Sequence, residues 1–241
     1  MVQDGDALTL IINGPDDVAA LTGSPLLDRV LRVEFNSTGQ TVAPILRMLP
    51  NVRSVTFVDD PHAAQTVRAV DEQLPNTVRA LNFAGFMATT FDDDTAATLC
   101  RSPQVAQLEH LALYNCNLTR RGAEAIGGGT FRDLKALHLG IGHPTTNRIG
   151  PEGVAALTPL SHLVTLDLGF NHIGDQGVRS LRAFRNLVEL HLQGNGITNK
   201  GLLALCDMPF LRQLTFLDLS QNRITARAMR HLHRTAPRLA S

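Results

Sequence analysis

"LVTLDLGFNHIGDQGVRSLRAF", residues 163–184, carries leucines at 163, 166 and 168, an asparagine at 171 and a helix-like tail from Asp175. Asp167, His172 and Asp175 in so short a stretch raise the prospect of catalysis, but the spacing belongs to something repeated. The hexad L-x-x-L-x-L returns as "LEHLAL" from Leu108, "LKALHL" from Leu134, "LVELHL" from Leu187 and "LTFLDL" from Leu214. Weaker versions run upstream as "VLRVEF" from Val30, "VRSVTF" from Val52, "VRALNF" from Val78 and "ALTLII" from Ala7. Successive starts lie 22 to 30 residues apart, the period of a stacked coil with one short strand per turn.

In such a hexad the first, fourth and sixth residues point into the coil and the third and fifth point out of the strand. Stacking the coils pairs the strands into a parallel sheet and buries the inward leucines. Asn171, Asn195 and Asn222 each follow three places after the last leucine, where a side-chain amide can satisfy backbone groups of adjacent coils. Cys116 fills that slot one repeat earlier and reads as a small structural thiol. Behind the asparagine come "NRIGPEGVAAL", "NHIGDQGVRSL" and "NGITNKGLLAL", in which Pro151, Asp175 and Asn199 are residue types favoured where helices begin. Helices are predicted near 41–49, 62–74, 93–102, 120–127, 151–158, 175–184, 199–207 and 225–235. The expected fold is α/β, a solenoid of about eight to nine coils with a curved parallel sheet inside and helices outside. It forms a single domain over 1–241, irregular in 1–107 and regular in 108–236.

The regular part resembles the GALA-type leucine-rich repeats, a bacterial relative of the ribonuclease-inhibitor class. The matching residues are Asn147, Ile149, Gly153 and Leu157, then Asn171, Ile173, Gly177 and Leu181, then Asn195, Ile197, Gly201 and Leu205. Upstream, the asparagine slot holds Pro15, Thr38, Asp60 and Phe86, so those turns must be built differently. The resemblance implies a protein-binding module, with type III effectors of plant-pathogenic bacteria among the family's members. There the repeats hold a target while an F-box or ligase segment recruits ubiquitination machinery. Residues 1–30 read as a first coil and show no F-box-like segment.

Composition narrows the function further. Lys+Arg and Asp+Glu both number 22, so no overall charge draws the chain to nucleic acid or anionic membrane. Aromatics make up 5% and Trp is absent, which removes the usual base-stacking platforms. Three cysteines without a C-x-x-C fit a reducing compartment. The start "MVQDGDALTL" has no basic region of a signal peptide. No apolar run reaches the eighteen or so residues that span a bilayer. The expectation is a cytoplasmic monomer, or one delivered into a host cell by a signal not recognisable in this sequence, with a protein partner, no cofactor, no nucleic acid and no membrane.

Catalytic signatures such as G-x-S-x-G, H-E-x-x-H and the Walker loop are missing. "GIGHPT" from Gly140 lacks the third glycine of a dinucleotide fingerprint, and the acidic run Asp92-Asp93-Asp94 reads as a capped helix start. His231 and His233, two apart on one helix, make a poor chelate. One constellation survives. The fifth hexad positions read Glu34, Thr56, Asn82, Ala112, His138, Asp167, His191 and Asp218, and the last four alternate His and Asp. Such a ladder could ligate a metal or orient a base, but adjacent strands also alternate charge simply to relieve repulsion. The third positions read Arg32, Ser54, Ala80, His110, Ala136, Thr165, Glu189 and Phe216, with Tyr114, Phe170 and Gln193 just beyond the strands. Aromatic anchors in a polar surround suit a partner contact, so the candidate binding residues are Tyr114, His138, Asp167, Phe170, Glu189, His191, Gln193, Phe216 and Asp218. His143, in the extra loop between Gly140 and Asn147, joins them. Two other roles are open: a metal or hydrolytic site on the His/Asp ladder, and an adaptor that docks another domain through its C-terminal helix "TARAMRHLHRTAPRL".

Overall fold

The structure, a computed structural model, describes residues 2–4, 7–14, 16–17, 21–36, 42–85, 89–140 and 147–239. They form two compact units, one of residues 1–116 with 129–133 and one of 117–128 with 134–241.

In the first unit, β1 (Val2–Asp4) pairs antiparallel with β2 (Ala7–Ile12). Then β3 (Val30–Asn36), β4 (Ser54–Val58), β5 (Ala80–Ala84) and β6 (His110–Tyr114) add in chain order, all parallel. The register sets Arg32 beside Ser54, Ala80 and His110, and Glu34 beside Thr56, Asn82 and Ala112, as the hexads require. Helices α1 (Val42–Met48), α2 (Ala63–Gln73) and α3 (Asp93–Arg101) connect the strands. Asp92 caps α3 by accepting from the Thr95 N–H at 2.9 Å, so the acidic run is a helix start. In the sixth hexad position, Phe35, Phe57 and Phe83 stack with ring centroids 5.1 and 4.9 Å apart, and Phe91 closes the row at 4.7 Å. Rings of this size fill each coil where leucine does so elsewhere, with a further ring–ring gain of about 0.5–1.5 kcal/mol per pair. Without an asparagine, the turn at Asp60 is held locally by Oδ1, which accepts from the His62 N–H at 2.8 Å, and to the next coil by its carbonyl, which accepts from the Thr90 N–H at 3.1 Å. Pro15, Thr38 and Phe86 lie outside the described residues.

The second unit alternates α4 (Arg120–Gly127), β7 (Ala136–His138), α5 (Gly150–Ala156), β8 (Thr165–Asp167), α6 (Gly174–Ser180), β9 (Glu189–His191), α7 (Asn199–Cys206), β10 (Phe216–Asp218) and α8 (Ala226–Thr235). The observed helices fall within a few residues of the predicted ones. Leu134, Leu137, Leu139, Leu163, Leu166, Leu168, Leu187, Leu190 and Leu192 are 0% exposed. Each removes roughly 1.5–3 kcal/mol of apolar surface cost from water. Helices of seven or eight residues are marginal alone, so packing holds them. Gly153 and Gly177 allow it, because a Cβ there would meet the side chain of Ile149 or Ile173 at 2.7 Å.

The asparagine slots form a ladder. Asn195 Oδ1 accepts from the N–H groups of Asn171 (3.0 Å) and Ile173 (3.3 Å), while its Nδ2 donates to the carbonyls of Leu168, Leu192 and Gln193. Asn222 repeats the pattern on Asn195 and Ile197, and Asn147 accepts from Leu118 N–H at 3.0 Å. Cys116, in the same slot of the first unit, is fully buried and directs its thiol at the Tyr114 carbonyl, 3.4 Å away. The helix starts hold a second set of staples. Asp175 accepts from the Thr198 N–H (2.7 Å) and hydroxyl (2.6 Å), and Asn199 Oδ1 accepts from the Thr225 N–H (2.9 Å). These side chains therefore tie one helix start to the next coil instead of capping their own.

Candidate functional site

The outward row of the second unit is in register: His138 lies beside Asp167, Asp167 beside His191, and His191 beside Asp218. The next row sets Thr165 beside Glu189 and Glu189 beside Phe216. Alternation along the strand puts both rows on one face.

The carboxylates of this face are partly spent on the fold. Asp167 is only 8% exposed, and its Oδ1 accepts from the Gly169 N–H at 2.9 Å. Asp218 Oδ1 does the same for Ser220 N–H at 2.8 Å. Burial pushes the Asp167 carboxyl above its ordinary value, against the pull of the Gly169 N–H and of His191 and His138. Its Oδ2 stands 4.0 Å from His138 Nδ1, beyond a hydrogen bond. Asp167 is thus less of a surface residue than the alternation suggests. His172, in the turn that follows, is exposed.

The chemistry of the row gathers around His191. Its Nε2 lies 2.7 Å from Glu189 Oε1, two residues back on the same strand. Its ring packs on Phe216 with centroids 4.7 Å apart and planes inclined by 36°. Phe216 is 45% exposed, one of three large apolar side chains so open to solvent among the described residues. Glu189, His191 and Phe216 form a fixed cluster with an apolar tip.

Phe170 and Gln193 behave differently. Phe170 adopts a left-handed backbone (φ 58°) and lays its ring over Gly194, where any Cβ would collide with it. Gln193 lies over Gly169 in the same way, and its buried Oε1 has no hydrogen-bond partner among the described residues. Both are half-buried. Tyr114 ends β6 in the first unit and is half-buried there. His143 and most of the loop around it lie outside the described residues. Among those described, no three His, Cys, Asp or Glu side chains come together to hold a metal ion. The ladder supplies adjacent His/Asp pairs on the outward face of the sheet.

Residues 160–181 and 185–206 match the family model described as Leucine Rich repeat. Those two segments are leucine-rich repeats. Solved structures carry the same fold. An internalin from Listeria monocytogenes is 21% identical with a TM-score of 0.52, over 91% of this chain and 56% of that one. A chain of the yeast Rad7 and Elc1 complex is 14% identical with a TM-score of 0.56, over 88% of this chain and 69% of that one. A Bacteroides fragilis protein is 12% identical with a TM-score of 0.60, over 93% of this chain and 68% of that one. The chain thus spans little more than half the length of the internalin it resembles. No curated protein matches in sequence. As a class, leucine-rich-repeat folds bind proteins along their repeated strands, and no helix among the described residues is long and apolar enough to cross a membrane.

Proposed function

We propose that the chain is a non-enzymatic protein-binding module whose partner seats on the outward strand face of the second unit, centred on Phe216. The observation that carries this reading is the Glu189–His191–Phe216 cluster. An exposed phenylalanine costs solvation that a partner would relieve, and the ring is already held at 4.7 Å by His191, itself fixed at 2.7 Å by Glu189. A pre-ordered aromatic in a polar surround is the usual centre of a protein interface. His138 and Asp218 supply the surround. An effector role, or target recognition within a ubiquitin-ligase assembly, is the finer form of this proposal and rests on the GALA resemblance. The yeast Rad7–Elc1 structure offers a precedent, since there a chain of similar fold is solved in complex with another protein. Place of action in a reducing compartment is also part of it, in keeping with free thiols at Cys100, Cys116 and Cys206.

The test compares capture from host and native lysates by three proteins of equal melting temperature: wild type, Phe216→Ala and Leu203→Ala. Leu203, 49% exposed on α7, is the control for exposed apolar surface away from the strands. A partner bound by wild type and Leu203→Ala, and weakened roughly 30-fold or more by Phe216→Ala, is the expected result. A partner lost with Leu203→Ala and kept by Phe216→Ala would move the site to the helix side.

A further inference from the structure

The balance of charge over the whole chain hides a split between its two units. The first holds 8 Lys and Arg against 15 Asp and Glu, and the second 14 against 7. In the second unit most of the acids are already engaged. Asp167, Asp175 and Asp218 accept backbone N–H groups, Glu124 pairs with Arg120 at 2.7 Å, and Glu189 meets His191.

The surplus cations gather on the helix side. Arg179 lies in α6 and Arg182 in the turn after it, Lys200 in α7, and Arg227, Arg230 and Arg234 in α8, all exposed. None of the six makes an ion pair among the described residues. The one acid within these three helices is Asp175, which serves Thr198 while Arg179 favours its charged form, and Asp207 follows α7. Leu203, 49% exposed, stands in the middle of the group. Helices α6, α7 and α8 pack side by side, and Arg179, Leu203 and Arg230 each come six residues after Ile173, Ile197 and Ile224. They therefore hold the same place on successive coils, and Lys200 and Arg227 share a second place one turn earlier. Ala155 in α5 is exposed at the first place and Gln176 in α6 at the second, although α6 has a helix on either side. This face looks away from the stacking direction, so its exposure does not depend on a neighbouring coil.

We propose that this face of α6, α7 and α8 binds an acidic segment of another protein, in which one apolar residue is flanked by carboxylates. The apolar residue covers Leu203, and the carboxylates reach Arg179 and Arg230. Packed helices lie about 8–10 Å apart. An extended segment with three residues per turn sets every third side chain on one side, about 9 Å from the last. The pattern that fits is acidic-x-x-apolar-x-x-acidic. A nucleic-acid backbone would meet the arginines but gain nothing from Leu203, and the face offers its bases no exposed aromatic ring. An anionic bilayer would cover one leucine only, with the Asp207 carboxylate set against its headgroups.

The test probe is the synthetic peptide EPPLPPE, titrated to millimolar concentration into the isotope-labelled full chain and followed by NMR. Expected are shifts of the Arg179, Lys200, Leu203 and Arg230 amides, with those of Glu189 and Phe216 unmoved. Arg179→Glu/Arg230→Glu should weaken binding about tenfold and Leu203→Ala about threefold. Phe216→Ala should leave it unchanged, which separates this surface from the strand face. The substituted positions are exposed, so each variant should melt as the wild type does. Absence of the four shifts at millimolar peptide would overturn the proposal, as would equal binding of the peptide KPPLPPK. An RNA oligonucleotide or anionic vesicles that move these amides where the peptide does not would overturn it in favour of phosphate. Self-association of the chain that Arg179→Glu/Arg230→Glu abolishes, with no response to the peptide, would instead give the face to the acidic first unit of a second copy.

Discussion

Replacing Asn195 with alanine isolates the asparagine ladder. The side chain makes five hydrogen bonds of 2.8–3.3 Å and is 2% exposed. Its loss strands the N–H groups of Asn171 and Ile173 where water does not reach, at about 1–3 kcal/mol each. The three carbonyls keep a second lone pair for other donors and add less. The expected cost is therefore about 4 kcal/mol, a large share of a stability of about 5–15 kcal/mol. Asn222 makes the same five bonds but is half-exposed at its coil edge, so water can replace them and Asn222→Ala should cost only about 1–2 kcal/mol. Urea unfolding followed by circular dichroism measures both, since the chain has no Trp to report by fluorescence. Equal costs for the two substitutions, at unchanged m-values, would refute the argument that buried donors set the size of the effect. Asn195→Asp keeps the acceptor but faces three carbonyls with a carboxylate, and should be no milder than alanine.

Gly140→Ala should destabilise by about 1–3 kcal/mol, because the new Cβ would fall on the Gly169 backbone and the Asp167 carboxylate; a melting curve checks it. At Asp175 burial raises the carboxyl's pKa, but the Thr198 hydroxyl and N–H and the Gly201 N–H outweigh it and hold the group below its ordinary value. Its charged form thus stabilises the fold above the unfolded-state value of about 4, and that stabilisation is lost as pH falls through the lower folded value. Asp175→Ala should lower Tm at pH 7 by about 2–4 °C and flatten its acid decline, and an unchanged decline would count against the staple. Burial pushes the Cys100 thiol up to about 12 despite Arg101, and Cys116 higher still, while Cys206 is only half-buried. Iodoacetamide at pH 8 should therefore label Cys206 alone in the native protein, with mass spectrometry locating the adduct.

Leucine spacing and the asparagine slot made the fold readable, because each coil must meet the same packing and hydrogen-bonding demand. What escaped that reading involves partners distant in sequence. Asp175 and Asn199 look like helix starts locally, yet their acceptors serve Thr198 and Thr225, 23 and 26 residues on. The Phe35–Phe57–Phe83–Phe91 row is visible only as scattered hexad ends until the strands align. β1, three residues long, has no pattern that marks an antiparallel return. At the candidate site, alternation correctly set Glu189, His191, Phe216 and Asp218 on one face. It gave no sign that Asp167 is engaged by Gly169 or that Phe170 covers Gly194, since both depend on turns with unusual backbone angles.

The asparagine ladder also bears on how such a gene can change length. At the asparagine turn each coil gives its N–H groups forward, as from Leu168 to His191, and at the strand start it gives them back, as from Val188 to Val164, so its bonds depend on the kind of neighbour and not on which one it is. Removal of residues 172–195 would leave Asn171 and Ile197 facing Asn222, the same pair of donors that Asn195 and Ile197 present to it now. Gain or loss of a whole coil is therefore a nearly silent event for the backbone, while loss of half a coil is ruinous. Lineages of this protein should drift in length by steps of one period.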